Sequence, residues 1–411
     1  MSHSRLLALC ARIDGHPLIY QEIKAECERV SDWDGLLERA EHEGMAPLLR
    51  RHLDLAEVDT PAAFRRVLEV VLWKRHEHHA QIRAKELQAM LDLLAGINCT
   101  PIVLKGAALC HTLYPDPSLR PMRDIDLLLT IPEAKRAQQA LKKETGFKAS
   151  QGTIPEDHFH LRALYKKVEK VNIAVEIHHG LYPDCAPFYP EVNVYELRHR
   201  AKQLVVGESK ALTLGHEDMI DYLFMHGFRT PLTFEPYRLI NAADLIGYIE
   251  ANFHAIDWDK IRSSRPLLHR ALPLMHHISP WNPELIPPDF VPAHELRKKR
   301  TPAAYKGWPC RRMKELKQQR QSSIRFLIDT FFPPVWWMKI YYGIATRAQY
   351  LNHLLIHHPK HIFWWVRIYA PHLTDKGADS KETQKGWKAL LASKWSQLKI
   401  LVKKLTPNSS R

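Results

Sequence analysis

The sequence predicts an α+β fold, a small mixed β-sheet held between N-terminal and C-terminal helical regions. Three observations carry this reading. Apolar residues recur at helical spacing up to about residue 95, and again from Glu217. Between those stretches the period changes: Ile102–Leu104 is a short apolar run, Asp124–Thr130 (DIDLLLT) is a second, and Val171–His178 alternates apolar with polar residues as a strand does. Finally, 411 residues with 45% apolar and 25% charged are enough for two or three domains with cores, which excludes a disordered or fibrous chain.

Residues 1–96 read as an N-terminal helical region. Leu36, Leu37, Ala40, Met45, Leu48 and Leu49 fall at helix-like spacing, and Phe64, Leu68, Val71 and Leu72, then Leu87, Met90, Leu91 and Leu94, extend a second helical run. Pro61 suits the first turn of that run and Gly96 its end. The region 97–215 holds the three strands and helices over 106–114 and 132–143, and 216–279 returns to helical spacing. Prolines at 280, 283, 287, 288, 292, 302 and 309 remove so many backbone donors that 280–320 reads as a connector without packed elements. An aromatic-rich, basic helical region, 321–411, follows.

The formal charge of +14 is concentrated. Residues 294–320 carry a net +8 and 381–411 a net +7, so the rest of the chain is close to neutral, and an anionic partner is expected at those two segments. In the tail, Trp387, Leu390, Leu391, Trp395, Leu398, Leu401 and Val402 alternate with lysines as a basic amphipathic helix, suited to its own core, to nucleic acid or to a membrane surface. No apolar run is long enough to span a bilayer and the first residues do not read as a secretory signal, so the expected location is cytoplasmic, with peripheral membrane contact as the alternative for the tail. Six scattered cysteines without a CxxC pair argue against a zinc knuckle or a redox dithiol, and neither a P-loop nor a dinucleotide fingerprint occurs.

The chemistry concentrates between residues 101 and 129. On a strand, Asp124 and Asp126 share a face while Ile125, Leu127 and Leu129 face the core. Paired carboxylates repel unless a cation sits between them, and oxygen ligands point to Mg²⁺ or Mn²⁺ rather than zinc. If both aspartates face an open site, Asp126→Asn is expected to leave stability level or higher. Glu176 and His178 share the polar face of a later strand, and Glu176 is the candidate third carboxylate. Lys105 and Gly106 sit where a strand turns into a helix, a place that receives phosphate, while Arg120 and Arg123 precede the aspartates and suit a triphosphate. His76, His78 and His79 read as a solvated helix face, and Pro359 is expected to break the helix that a zinc pair at His357 and His361 would need. His226, Arg238 and Asp244 read as an internal polar network, with a direct substrate role as the alternative.

These motifs resemble those of the uncharacterised nucleotidyltransferase family, a divergent branch of the DNA polymerase β-like superfamily. The family pattern of LKG, LYPDP, R-P, DIDLL and a strand ending in E/D-I-H is matched by Lys105, Gly106, Tyr114, Arg120, Asp124, Asp126, Glu176 and His178. Similarity extends over roughly residues 30–265, with a weaker echo at FPP, Tyr350 and His353. The resemblance implies transfer of a nucleoside monophosphate from an NTP to an acceptor with release of pyrophosphate. Asp124, Asp126 and Glu176 would be the catalytic and metal-binding residues, with Glu176 as ligand or proton acceptor, and Lys105, Gly106, Arg120 and His178 would bind substrate. The acceptor stays open among RNA, protein, a small molecule and a sugar precursor. Alternatives are a DxD metal-dependent glycosyltransferase, and a non-catalytic basic module for RNA or a membrane surface on a degenerate form of the same fold.

Overall fold

A computed structural model describes residues 2–150, 158–182, 189–229, 238–299, 328 and 331–364. Its centre is a mixed sheet of seven strands: β1 (Ile102–Val103), β2 (Asp124–Leu128), β3 (Lys148–Ala149), β4 (Leu164–Val168), β5 (Val171–His178), β6 (Lys202–Val206) and β7 (Ser209–Thr213). Their order across the sheet is β3-β4-β5-β2-β1-β7-β6. The α+β class and the helical flanks expected from periodicity are what the chain adopts.

β1, β2 and β5 lie where apolar runs and alternation put them. Two hairpins add β4, β6 and β7, and β3 pairs with β4 at the edge. β4 joins β5 through Glu169 and Lys170, both at positive φ (47° and 70°), which is the twist that a two-residue turn between antiparallel strands requires. β6 joins β7 across Gly207 and Glu208, with Gly207 at φ 59°. Central β2 runs antiparallel to β1 and parallel to β5, and that second pairing sets Asp124 opposite Ala174 and Asp126 opposite Glu176.

The helix over 62–96 begins after Pro61 as expected and contains a π-helical turn at Val67–Trp73; its later part packs against β5, β6 and β7. Helix Ile131–Glu144 starts in a capping box of Thr130 and Glu133. Helices His216–Phe228 and Leu239–Asn252 pack on each other on the C-terminal side of the sheet residues. Leu239–Asn252 is buried nearly all round, with Ile240, Ala243, Leu245 and Ile249 in the core. Among the described residues no helix is long and apolar enough to cross a membrane.

Two readings need correction. The proline-rich stretch is packed over its described part: Trp281, Ile286 and Val291 are buried, and prolines sit in the first turns of the short helical segments Pro288–Phe290 and, as cap, Ala293–Leu296, where the missing donor costs nothing. Pro359 does not break its helix either. The turn His353–His357 just before it is π-helical, with His358 N bonding His353 O, and this wider turn accommodates the ring so that 358–364 stay helical. His358 and His361 then meet the Tyr342 hydroxyl at 2.8 and 2.9 Å. The basic segment beyond residue 299, the amphipathic tail, Cys185 and Cys310 lie outside the described residues.

Candidate functional site

The strand register assembles the site. Asp126 on β2 and Glu176 on β5 are direct neighbours across a parallel pair, and His178, two residues further along β5, lies on the same face. His178 Nε2 donates to Asp126 Oδ1 at 3.0 Å and stands 3.6 Å from Glu176 Oε2. One ligand atom each from Asp126, Glu176 and His178 lie within 4.8 Å of one another, so these three residues can hold a metal ion. Asp124 lies two register pairs before Asp126 on β2, at the rim.

Lys105 closes the inner side. It follows β1 after the single residue Leu104, opens the helix Lys105–Thr112 and has φ +46°, a strained conformation for a residue with a side chain. Its ammonium lies 3.2 Å from Asp126 Oδ2 and 5.7 Å from the centre of the Tyr222 ring. The backbone N-H of Leu104 donates to the Asp126 carbonyl at 3.0 Å, which pins the strand end that carries this lysine.

Charge at the site divides sharply. Burial pushes the Asp126 carboxyl up, but Lys105 and the His178 hydrogen bond outweigh it and hold the group well below the usual carboxylate range. Burial and the neighbouring Asp126 instead raise Asp124 to about 6, and Lys105 offsets them only in part. Glu176 is lowered, because the His178 hydrogen bond and His160 overcome its burial and the repulsion from Asp126. His178 is raised: its bonds to Asp126 and Glu176 outweigh desolvation. Lys105 is raised as well, since Asp126 counters its burial. Asp126 therefore does not face open water, and the expectation that removing its charge leaves stability level is overturned: its loss would leave a partly buried ammonium and a buried imidazole without their partner.

Arg120 is partly buried and packs against Gly106. Its Nε and Nη2 fork onto Asp244 Oδ1 and Oδ2 at 2.7 and 2.6 Å, Nη1 donates to the Pro121 carbonyl at 2.5 Å, and the Tyr114 hydroxyl donates to Asp244 Oδ1 at 2.7 Å. A Cβ added at Gly106 would meet the Arg120 guanidinium at 3.2 to 3.4 Å, so glycine is what lets the arginine underlie the turn. The proposed network of His226, Arg238 and Asp244 separates: Asp244 joins Arg120 and Tyr114, Arg238 donates to the His42 carbonyl at 2.9 and 2.6 Å, and His226 lies near Lys105 and Asp126, held well below its usual value by burial and then by Lys105. Sequence reasoning missed Tyr222, although Tyr222 and His226 are four apart on one helix and so share a face. It also missed His160, whose Nε2 stands 4.0 Å from Glu176 Oε2 and whose backbone bridges His178.

Residues 29–277 match the model of the family described as uncharacterised nucleotidyltransferase. The chain belongs to that family. The match covers every strand and every site residue named above. A crystal structure of an antigenic nucleotidyltransferase-like protein from Paracoccidioides brasiliensis is similar at 16% identity, over 51% of this chain and 96% of that one, with a TM-score of 0.30. No curated protein matches the chain. In this member of the family the donor set suits a divalent cation: two carboxylates and an imidazole converge, a third carboxylate adjoins them, and the buried His178 Nδ1 has no hydrogen-bond partner among the described residues.

Proposed function

We propose that this chain transfers a nucleoside monophosphate from an NTP to a hydroxyl-bearing acceptor, releasing pyrophosphate. The observation that carries the reading is the parallel register of β2 and β5, which sets Asp126 beside Glu176 and adds Asp124 at the rim, with Lys105 behind them. A Mg²⁺ or Mn²⁺ ion held by Asp126, Glu176 and Asp124 would neutralise phosphate charge and polarise the phosphoryl group. His178 donates to Asp126 and so fixes the orientation of that carboxylate. Lys105 keeps Asp126 ionised and, with the Gly106 turn, offers positive potential to the triphosphate. Arg120, whose donors are engaged by Asp244 and Pro121, supports that turn from beneath and raises the local potential without gripping phosphate itself. Glu176, the more exposed member of the pair, is placed to take the acceptor's proton. Catalysis of this kind is positional and electrostatic. A glycosyltransferase DxD site has no need of the carboxylate on β5, and membership of the family favours nucleotide transfer over it.

The test is incubation with each α-labelled NTP, cell extract and Mg²⁺ or Mn²⁺. Label should move to an acceptor, stop with EDTA, and be absent with Glu176→Gln. No label from any NTP, or full transfer by Glu176→Gln, would sink the reading.

A further inference from the structure

Beside the carboxylates, the sheet opens into a cleft of about 580 Å³ on the β3-β4-β5 side, with Asp124 and Glu176 at one end. Its floor is a lateral row across four strands. Lys148 on β3 pairs with Tyr165 on β4, Tyr165 with Ala174 on β5, and Ala174 with Asp124 on β2. At about 4.8 Å per strand the row is about 14 Å long, enough for more than one phosphate of a polynucleotide. Lys167 stands two residues from Tyr165 on the same face, opposite Asn172. Tyr165 is 48% exposed, and Lys148 and Lys167 make no ion pair among the described residues. Lys166, which alternation turns to the other face, is by contrast bound to both Glu86 oxygens at 3.1 and 2.9 Å. Lys148 and Lys167 are therefore the cleft lysines without an ion pair among the described residues.

We propose that this face binds the acceptor, and that the acceptor is the end of a single-stranded nucleic acid. The proposal rests on the nucleotidyltransferase reading for its chemistry but not for its binding. An exposed aromatic ring between two lysines is a stacking platform with electrostatic flanks, which is how single strands are held without base readout. Ala174 leaves a shallow trough between that ring and Asp124. A base on Tyr165, with phosphates at Lys148 and Lys167, directs the terminal hydroxyl to Glu176. There the hydroxyl oxygen would bond to the α-phosphorus, the bond from that phosphorus to the bridging oxygen would break, pyrophosphate would leave with that electron pair, and the hydroxyl proton would pass to the Glu176 carboxylate.

Binding of a short 5′-labelled oligoribonucleotide of mixed sequence to the full chain, by fluorescence anisotropy in EDTA over a range of salt, tests this without any transfer. Tyr165→Ala should weaken binding by about 5- to 150-fold while Tyr165→Phe retains it, the signature of stacking. The double variant Lys148→Gln, Lys167→Gln should flatten the slope of log affinity against log salt by about 1.4, for two phosphates released. All these positions are exposed, so melting temperatures should be unchanged. Wild-type affinity in both variants, loss with Tyr165→Phe equal to that with Tyr165→Ala, or no binding by the native chain would each overturn the proposal. Binding that depends on Tyr165 in a protein that moves no label would keep this surface and remove the transferase reading.

Discussion

Asp124 and Asp126 stand two residues apart on one strand and face the same way, yet their surroundings act on them in opposite senses. Burial disfavours the charge of both. Asp126 has Lys105 at 3.2 Å and His178 at 3.0 Å to offset that cost, while Asp124 has chiefly the repulsion of its neighbours. The inner aspartate is thus part of what holds the β1 turn to the sheet, and the outer one is a standing cost in the metal-free protein. Identical residues in one motif do different work because a partner, not burial, decides the sign.

The largest expected difference is in stability. Asp126→Asn should lower unfolding free energy by about 2–4 kcal/mol, since the buried member of a partly buried pair is removed and Lys105 and His178 stay behind. Urea denaturation measures it, and an unchanged midpoint would erase the distinction between the two positions. Asp124→Asn should act the other way in EDTA, raising stability at pH 8 by about 1–2 kcal/mol, less than the full shift implies because the side chain is partly exposed.

The same contrast has a pH signature. The folded Asp124 value of about 6 lies above its ordinary 3.8, so its favourable contribution is fully present below about pH 4 and is lost as pH rises through 6. Asp126 runs oppositely: its contribution is present above the ordinary carboxylate range and lost only in stronger acid. The gap between Asp124→Asn and the native chain should therefore be near zero at pH 4 and grow to its full size by pH 7. A gap that stays constant with pH would mean that repulsion at Asp124 is not its source. The smallest effect is at Gly106. Alanine there gains about 1 kcal/mol of helix propensity but crowds an arginine that Asp244 clamps, at a cost of about 1–3 kcal/mol, so a net loss of at most about 2 kcal/mol is expected on thermal unfolding.

Much of this site was legible in sequence because its strands announce themselves. DIDLLL and VNIAVEIH have the apolar runs and alternation that burial demands, and the motif spacing named the residues that the register then brought together. Burial of Asp126 was not legible, because strand alternation says which residues share a face and nothing about what covers that face. Here the cover is Lys105 and helix His216–Phe228, distant in sequence. β4 was hidden for a local reason: its hairpin turns on Glu169-Lys170, without the glycine or asparagine that usually marks positive φ. Arg120 read as a phosphate ligand because Asp244, which engages it, lies 124 residues away.

The parallel register of β2 and β5 also sets where the chain can change length. Adding one residue to β5 before Glu176 would leave composition and charge untouched, but it would bring Val175 opposite Asp126 and turn the remaining polar residues toward the core. Such a change could be absorbed only as a bulge. Spare residues in the turn at Gly207, two strands beyond β1, would cost little more than loop entropy. Tolerance to insertion should therefore be uneven along the sheet, least along β5 and greatest at the far hairpin.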